Sequence, residues 1–344
     1  MGNCLQQALS GSGKLNKLIS LVSGKKVFLC AHWDADGICS GAIIYHLIKS
    51  HAMDIQTLSK GDIFLVTEDD VKGNPDIIIS VDIQPSMALD PAKTAYIDHH
   101  PKEDSEIYAY SIHDENAKST TLLIWDELIR HTENPYLIFL VLMGYFGDGG
   151  SIDEVPQELR SKAEKLLPDM MVRRPSRFSS GDYYEIERFV SVLNIGKRMF
   201  WSGNLPLEML KDISDHRPFV CGEHPIAKEL QKCREELRQI YNMDLSFVSL
   251  TDIDYAIIQC DKNVQGVLCA RHLQDRPIMI LNRFNSNVIG SLRVPAKCKF
   301  NAGSFLSYYN SKIESFQGGG HEKAAGFTLA DRDLPGFIEL LKES

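Results

Sequence analysis

Histidine and aspartate recur in four short segments, His32-Trp33-Asp34-Ala35-Asp36-Gly37, Ser80-Val81-Asp82, Asp98-His99-His100 and Gly147-Asp148, each beside an apolar run. Imidazole nitrogens mixed with carboxylates suit Mn2+, or less readily Zn2+, Fe2+ or Co2+, better than the all-oxygen shell typical of Mg2+. Two such ions about 3.5–4 Å apart can bridge a hydroxide and clamp a phosphoryl group for in-line attack. Asp34 and Asp36 alternate with Trp33 and Ala35, so on an extended segment their carboxylates point to one side, and Gly37 then lets the backbone turn into a helix. The plainer alternative is an N-cap and a surface charge. Asp82 ends an apolar strand as a turn former would, and stands where a bridging ligand could sit. Asp98-His99-His100 pairs imidazole with a carboxylate able to orient it. Asp148 lies among Gly147, Gly149 and Gly150, which permit close approach. A fifth segment, Gly318-Gly319-Gly320-His321 leading to Ala324-Ala325-Gly326, is either an anion-binding edge or a flexible turn, and lies far downstream in what reads as a separate domain.

These residues need a scaffold that delivers them to one place. Lys26 to Ala31 reads as a strand ending at the first acidic segment, and Ile38 to Lys49 as an amphipathic helix, which together make a βα unit. Ile63 to Val66 and Ile77 to Val81 are further strands, and Thr94 to Ile97 leads up to Asp98. Strands separated in this way pair in parallel and release their polar ends at one sheet edge, where α/β enzymes keep their chemistry. A helix is expected from Ser119 to about His131, and Pro135 opens an apolar helix that ends at Phe146 and delivers Asp148. Residues 151 to about 204 turn polar and helical, and Glu223 to Met243 reads as a connecting helix. Strands at Leu245–Leu250, Tyr255–Gln259, Ile278–Leu281 and Asn287–Val294 follow, with helices near Val264–Leu273 and Ala302–Glu314. The expected organisation is α/β throughout. Residues 1–204 form a metal-binding catalytic domain with a mainly parallel sheet flanked by helices, 205–244 a helical connector, and 245–344 a smaller α/β substrate domain. The active site is expected in the cleft between the two domains.

At 344 residues the chain exceeds the roughly 250–300 that one core usually serves. Hydrophobic content of 44% and charged content of 24% are those of an ordinary globular chain, which excludes overall disorder or a disulfide scaffold. Its longest apolar runs, such as Leu137 to Met143, fall short of the roughly 20 residues that span a bilayer. No secretory signal is visible, so a cytoplasmic location without membrane contact is expected. The cysteines (Cys4, Cys30, Cys39, Cys221, Cys233, Cys260, Cys269, Cys298) form no CxxC pair and read as free thiols in a reducing compartment. A net charge of −9 argues against broad duplex binding but not against a local basic groove. Arg173, Arg174 and Arg177 form a basic cluster, either a solvated loop or a nucleic-acid contact. No Ser-His-Asp arrangement, Walker loop or GxGxxG after a strand competes with the metal reading.

In order and spacing the segments resemble the DHH phosphoesterase superfamily, named for the triplet present here as Asp98-His99-His100. His32-x-Asp34-x-Asp36-Gly37, Asp82, Asp98-His99-His100 and Gly147-Asp148 are similar to its four N-terminal motifs. Gly318-Gly319-Gly320-His321-x-x-Ala324-Ala325-Gly326 is similar to the signature of its DHHA1 substrate domain. The resemblance implies that His32 and Asp34 hold one divalent ion, that Asp36, His99 and Asp148 hold the other, and that Asp82 bridges them. Mn2+ is the expected metal, with Mg2+, Co2+ or Zn2+ as alternatives. It implies catalytic roles for His100, against the phosphate, and for Asp98. In the second domain it implies that Gly318, Gly319, Gly320 and His321 line the phosphate and sugar, with Ser291 and Arg293 nearby. The implied activity is that of a metal-dependent phosphodiesterase working from an end of single-stranded DNA or RNA or on short oligonucleotides, as in the RecJ-like exonuclease or oligoribonuclease branches. The alternatives are a small-nucleotide phosphatase or cyclic-dinucleotide phosphodiesterase and, in another class, a noncatalytic nucleic-acid-binding protein. The presence of Asp34, Asp36, Asp82 and His99 weighs against the last. Homo-oligomer formation is left open.

Overall fold

The structure, a computed structural model, describes residues 12–102, 107–175 and 182–343. Its first strands follow in chain order as β1 (Lys26–His32), β2 (Asp54–Lys60), β3 (Leu65–Val66), β4 (Ile77–Val81), β5 (Gln84–Pro85), β6 (Thr94–Asp98) and β7 (Tyr110–His113). Five of them form one sheet in the order β2-β1-β4-β6-β7, with every pairing parallel. β3 and β5 pair separately as a short ribbon, so the strand expected from Ile63 is only two residues long. β4 and β6 are buried along their whole length, as the apolar runs require of inner parallel strands. β2 and β7 lie at the sheet edges, where mixed polar sequences give no apolar run to read.

The chain steps from β1 outward to β2 and then returns to the other side of β1 at β4. Such a reversal opens a crevice beyond the carboxyl ends of the two central strands. His32 closes β1, Asp82 follows β4 and Asp98 closes β6, so this crevice is where the sequence delivers its chemistry.

Four helices accompany this sheet: α1 (Gly13–Val22), α2 (Ala35–Ile48), α3 (Thr120–Ile124) and α4 (Pro135–Gly147). The helix expected from Ser119 begins as α3, with the Ser119 hydroxyl accepting from the Leu122 N–H, and widens into a π-helical stretch over Trp125–Ile129. Asn134 caps α4, and every residue from Tyr136 to Phe146 is buried, which explains why this helix is apolar on all sides. Further on lie α5 (Gln157–Leu166), the hairpin β8 (Arg173–Pro175) and β9 (Asp182–Tyr184), α6 (Glu187–Leu193), α7 (Ile195–Phe200), α8 (Asn204–Asp212), α9 (Arg217–Val220) and α10 (Pro225–Ile240). Arg173 and Arg174 therefore sit on a strand rather than in a loop, and both are matched by acids. Arg174 Nε donates to Glu185 at 3.1 Å, and Arg173 is 3.7 Å from Asp153 and lies over the Tyr184 ring. Arg177 and Cys4 fall outside the described residues, and the other cysteines are free thiols.

The chain divides into two compact units, Met1–Arg234 and Glu235–Ser344, with the division inside α10. The second contains β10 (Val248–Ser249), β11 (Asp254–Gln259), α11 (Gln265–His272), β12 (Ile278–Phe284), β13 (Asn287–Arg293), α12 (Ala302–Tyr309), β14 (Gln317–Gly320), β15 (Ala324–Ala330) and α13 (Leu334–Glu343). Its sheet runs β10-β11-β12-β13-β15-β14, parallel only between β11 and β12. The first expected strand here shrinks to Val248–Ser249, and the helix from Ala302 stops at Tyr309 rather than Glu314. Tyr309, Phe316, Phe327 and Phe337 form the centre of this unit's core. Among the described residues no helix is long and apolar enough to cross a membrane.

One buried polar contact ties α2 to α8. Lys49 Nζ donates to His46 Nδ1 at 3.0 Å, so His46 Nε2 carries the proton and donates to the Leu210 carbonyl at 2.9 Å. Burial pushes the His46 pKa down to about 4, and Lys49 pushes the same way while the Leu210 bond partly offsets them. A depressed histidine stabilises the fold above its unfolded value near 6.5 and loses that contribution as pH falls toward 4. Between pH 7 and pH 5 His46 is expected to remove about 2 kcal/mol of stability. Urea unfolding at the two pH values should show a smaller loss in His46→Gln, which keeps a donor and an acceptor but does not titrate.

Candidate metal centre

Two groups of side chains meet at the crevice. His32, Asp34 and Asp82 form one, and Asp36, His99 and Asp148 form the other, each with donor atoms within 4.8 Å of one another. His32 Nδ1 is 2.9 Å from Asp34 Oδ2 and 3.6 Å from Asp82 Oδ2. His99 Nε2 is 3.3 Å from Asp148 Oδ2 and 3.7 Å from Asp82 Oδ1. Asp82 thus turns one oxygen toward each group. Asp98 and His100 lie beside them and form a further set with Asp82 and His99.

The local backbone explains these placements. Asp34 and Asp36 do not alternate on an extended segment as expected. Asp34 is the N-cap of α2, its carboxylate accepting the Gly37 N–H at 3.1 Å, and Asp36 is already in the first helical turn. They are brought into separate groups because one residue precedes the helix and the other belongs to it. Gly37 is needed for space rather than for turning, since a Cβ there would stand 2.5 Å from the His32 carbonyl oxygen. Asp82 takes a left-handed φ of 58°, which Asp tolerates better than bulky residues, and its N–H donates to the Ile97 carbonyl. Asp148 is the C-cap of α4. Its glycines serve packing: a Cβ at Gly147 would meet that of Ala35 at 2.6 Å, and one at Gly150 would meet the Tyr145 ring at 2.4 Å.

Sequence reasoning missed Thr120, Thr121 and Gly144. Thr120 N–H donates to Asp36 Oδ2 at 2.7 Å, and Thr121 donates to Asp36 Oδ1 through its N–H at 3.0 Å and its hydroxyl at 2.8 Å. The Thr120 hydroxyl donates to Asp82 Oδ1 at 2.7 Å, so one helical turn holds carboxylates of both groups. Gly144 faces this bond network, where a Cβ would stand 2.3 Å from Thr121 Cγ2 and 2.6 Å from Asp36 Oδ1. Only the serine cap ahead of an apolar helix hinted at this turn. Phe64 was also missed; its ring lies edge-on to His32 and His100, with centroids 5.1 and 4.8 Å away.

Charge and hydrogen bonding divide the aspartates. Burial pushes Asp36 up to about 7, with Asp148 adding to the effect, and burial together with Asp36, Asp34 and Asp98 raises Asp82 well above the usual carboxylate range. Burial would raise Asp34 too, but His32 and Lys197 hold it below that range. Asp98 is likewise lowered against burial, because Oδ1 accepts from the His100 backbone N–H at 2.9 Å and from His100 Nδ1 at 2.8 Å, and Oδ2 accepts from the Tyr96 hydroxyl. The same partner raises His100 against its burial and leaves Nε2 as its outward nitrogen.

Two buried nitrogens test whether a cation fits. His99 Nδ1 bonds the Ala117 carbonyl, which leaves Nε2 facing Asp148. Neither that atom nor His32 Nδ1 has a hydrogen-bond partner of good geometry, although both are buried among carboxylates and His32 Nδ1 is only 2.9 Å from Asp34 Oδ2. Buried polar atoms left in this way call for a partner, and a shared divalent ion would make both nitrogens ligands. The residues present fit metal ions.

The remaining expected residues belong to the second unit. Ser291 is buried and Arg293 half-buried on β13. Among the described residues Arg293 has no carboxylate partner, and burial lowers its pKa. The start of α11 runs past it, where a Cβ at Gly266 would stand 3.8 Å from Arg293 Nη2 and 3.6 Å from Ser291 Oγ. Gly318, Gly319 and Gly320 form edge strand β14 rather than a turn, and His321 is exposed just beyond it. A Cβ at Gly318 would strike the Phe316 ring at 2.4 Å, and Gly320 has a φ of +138° and lies against Ala325. Gly319 has only Ser307 Oγ, at 3.8 Å, beside it.

Residues 26–144 match the DHH family, N-terminal domain, and residues 261–344 match the DHHA1 domain. The chain belongs to the DHH family and carries a DHHA1 domain. Similar solved structures bear out this DHH fold. One is the DHH domain of a member of the s1p family of ribosomal proteins, at 16% identity over 95% of this chain and 88% of that one, with a TM-score of 0.60. RecJ from Thermus thermophilus in complex with Mn2+ is 16% identical, with a TM-score of 0.64 over 98% of this chain, which spans 55% of that protein. Exonuclease RecJ bound to manganese is 16% identical over 98% of this chain and 95% of that one, with a TM-score of 0.61. No curated protein matches by sequence.

The DHH centre thus depends on a helix–helix approach at Gly144, which gives a test. Gly144→Ala improves helix propensity, yet it is expected to destabilise the protein by about 1–3 kcal/mol by driving Thr121 and Asp36 apart. Thr121→Ser removes the methyl group nearest the clash and should recover part of that loss in the double variant. Denaturant titration of the single and double variants checks this, and a neutral or stabilising Gly144→Ala would show that the contact is not tight.

Proposed function

We propose that this chain is a metal-dependent phosphodiesterase that hydrolyses single-stranded nucleic acid or short oligonucleotides from an end. The observation that carries the reading is Asp82, whose two oxygens face two separate histidine and carboxylate groups at 3.6 and 3.7 Å. In this reading His32 and Asp34 hold one divalent ion, Asp36, His99 and Asp148 the other, and Asp82 both. Mn2+ is favoured by the mixed imidazole and carboxylate donors and by the manganese in two similar RecJ structures. Bound there, the ions would supply Lewis acidity to a phosphoryl group and lower the pKa of water.

The protein's own groups do the rest. Thr120 and Thr121 fix the carboxylates so that they need not reorganise. Asp98 holds His100 by its Nδ1, which orients Nε2 to donate to a phosphate oxygen or to protonate the leaving group. In the DHHA1 domain, Arg293 supplies a half-buried guanidinium suited to a second phosphate, with Ser291 beside it and the exposed His321 and Gly319 amide as further donors.

The deciding experiment incubates purified protein and Mn2+ with end-labelled DNA and RNA of several lengths, alongside 3′-phosphoadenosine 5′-phosphate and cyclic di-AMP. Release of mononucleotides from strands supports the reading. Cleavage of the small nucleotides alone would assign a phosphatase or cyclic-dinucleotide phosphodiesterase instead. Asp82→Ala should abolish turnover and reduce bound metal, and full occupancy of two ions with normal activity would remove Asp82 from the centre. His100→Ala should lower kcat by about 10²–10⁴-fold while changing metal affinity far less. Equal loss of both would make His100 a ligand.

A further inference from the structure

Beside Asp34 lies a short run with basic and aromatic residues, Lys197-Arg198-Met199-Phe200-Trp201, of which only Lys197 has entered the account of the metal centre. α7 ends at Phe200, and Trp201 caps it in the left-handed region with φ 52°. A bulky aromatic holds that conformation only where its surroundings fix it, a pattern that clusters at ligand-binding sites. Here the surroundings are close. Lys197 Nζ is 3.9 Å from Asp34 Oδ2, and the Trp201 ring lies 6.4 Å from that of Trp33, which stands between His32 and Asp34 in the chain. The next residues are pinned to edge strand β2, with Gly203 N–H donating to the Ser59 carbonyl at 3.1 Å and Asn204 Oδ1 accepting from the Ser59 N–H at 2.6 Å. A Cβ at Gly203 would stand 2.1 Å from Ser59 Oγ and 2.9 Å from Trp33 Cα, so the loop packs against the strand end as closely as a backbone can. Phe200 is nevertheless 44% exposed, and Trp201 is only half-buried.

We propose that Trp201 and Phe200 form a stacking site for a nucleobase of the substrate, with Lys197 toward the neighbouring phosphate. The inference rests on the nucleic-acid reading above and names the part of the substrate held on the Asp34 side. Every base has a π face, and aromatic rings next to a cation hold single strands without reading their sequence. A ring fixed by a pinned loop loses little freedom on binding, which favours its use as an anchor.

The test compares oligothymidylate with an abasic strand of the same length, using the Mn2+-loaded protein. The wild type is expected to favour the base-bearing strand by at least about fivefold in KM. Oligothymidylate is also expected to quench indole fluorescence, because Trp33 and Trp125 are buried whereas Trp201 is only half-buried. Trp201→Leu should bring the KM ratio close to one and remove the quench, and Trp201→Phe should restore the ratio. An unchanged ratio in Trp201→Leu, a wild type without preference, or loss of metal from the variant would overturn the proposal. If the wild type cleaves neither strand, the nuclease reading itself fails. A quench that disappears in Trp201→Leu then still supports the site, and no quench overturns it.

Discussion

The fold turns on an electrostatic conflict at the ends of β1, β4 and β6. Asp36, Asp82 and Asp98 are each at most 1% exposed, and burying a carboxylate costs several kcal/mol unless hydrogen bonds or a counter-charge offset it. Each is treated differently. Asp98 has Tyr96 and His100, and Asp36 has three donors from Thr120 and Thr121. Asp82 has only the Thr120 hydroxyl and the distant edges of three imidazoles, and burial raises its pKa. What the protein leaves unbalanced is a group of buried carboxylates with two imidazole nitrogens aimed into it, a donor set that a divalent cation would satisfy.

Holding such a cluster together requires backbones to approach more closely than side chains allow. Gly37, Gly144 and Gly147 supply that approach, bringing the His32 carbonyl, the Thr121 side chain and Ala35 within contact of α2 and α4. The apolar character of α4 follows from the same need, since the helix is enclosed on all sides while its last residues meet the cluster. Stability and site geometry are therefore carried by the same contacts, and Gly144 is the point where one substitution disturbs both.

Much of this was legible because parallel strands leave a strong trace. Runs such as Ile77–Val81 and Thr94–Asp98 are continuous and apolar, and each stops at the residue that matters. The start of α2 was misread for a physical reason: an Asp-x-Asp pair looks the same whether the first aspartate caps a helix or sits in a strand, and only the geometry of Gly37 against His32 settles it. β2 and β7 escaped notice because edge strands are half polar. Thr120 was invisible as a site residue because half of its work is done by a backbone N–H, which every residue but proline possesses.

The glycine-rich segment of the second unit carries packing constraints that its sequence alone does not display. Its glycines first seem to exist for an anion, yet Gly318 is required by the Phe316 ring and Gly320 by its positive φ beside Ala325. Gly290, across the sheet, is required in the same way by the Phe327 ring, only 2.0 Å from where its Cβ would be. Packing alone would select these residues. Packing does not select Arg293, since a half-buried guanidinium without a carboxylate among the described residues is a cost the fold could avoid with a shorter apolar side chain. The stronger argument for an anion in this unit therefore rests on the arginine of β13, and the glycine strand leaves the room that the Phe316 ring occupies.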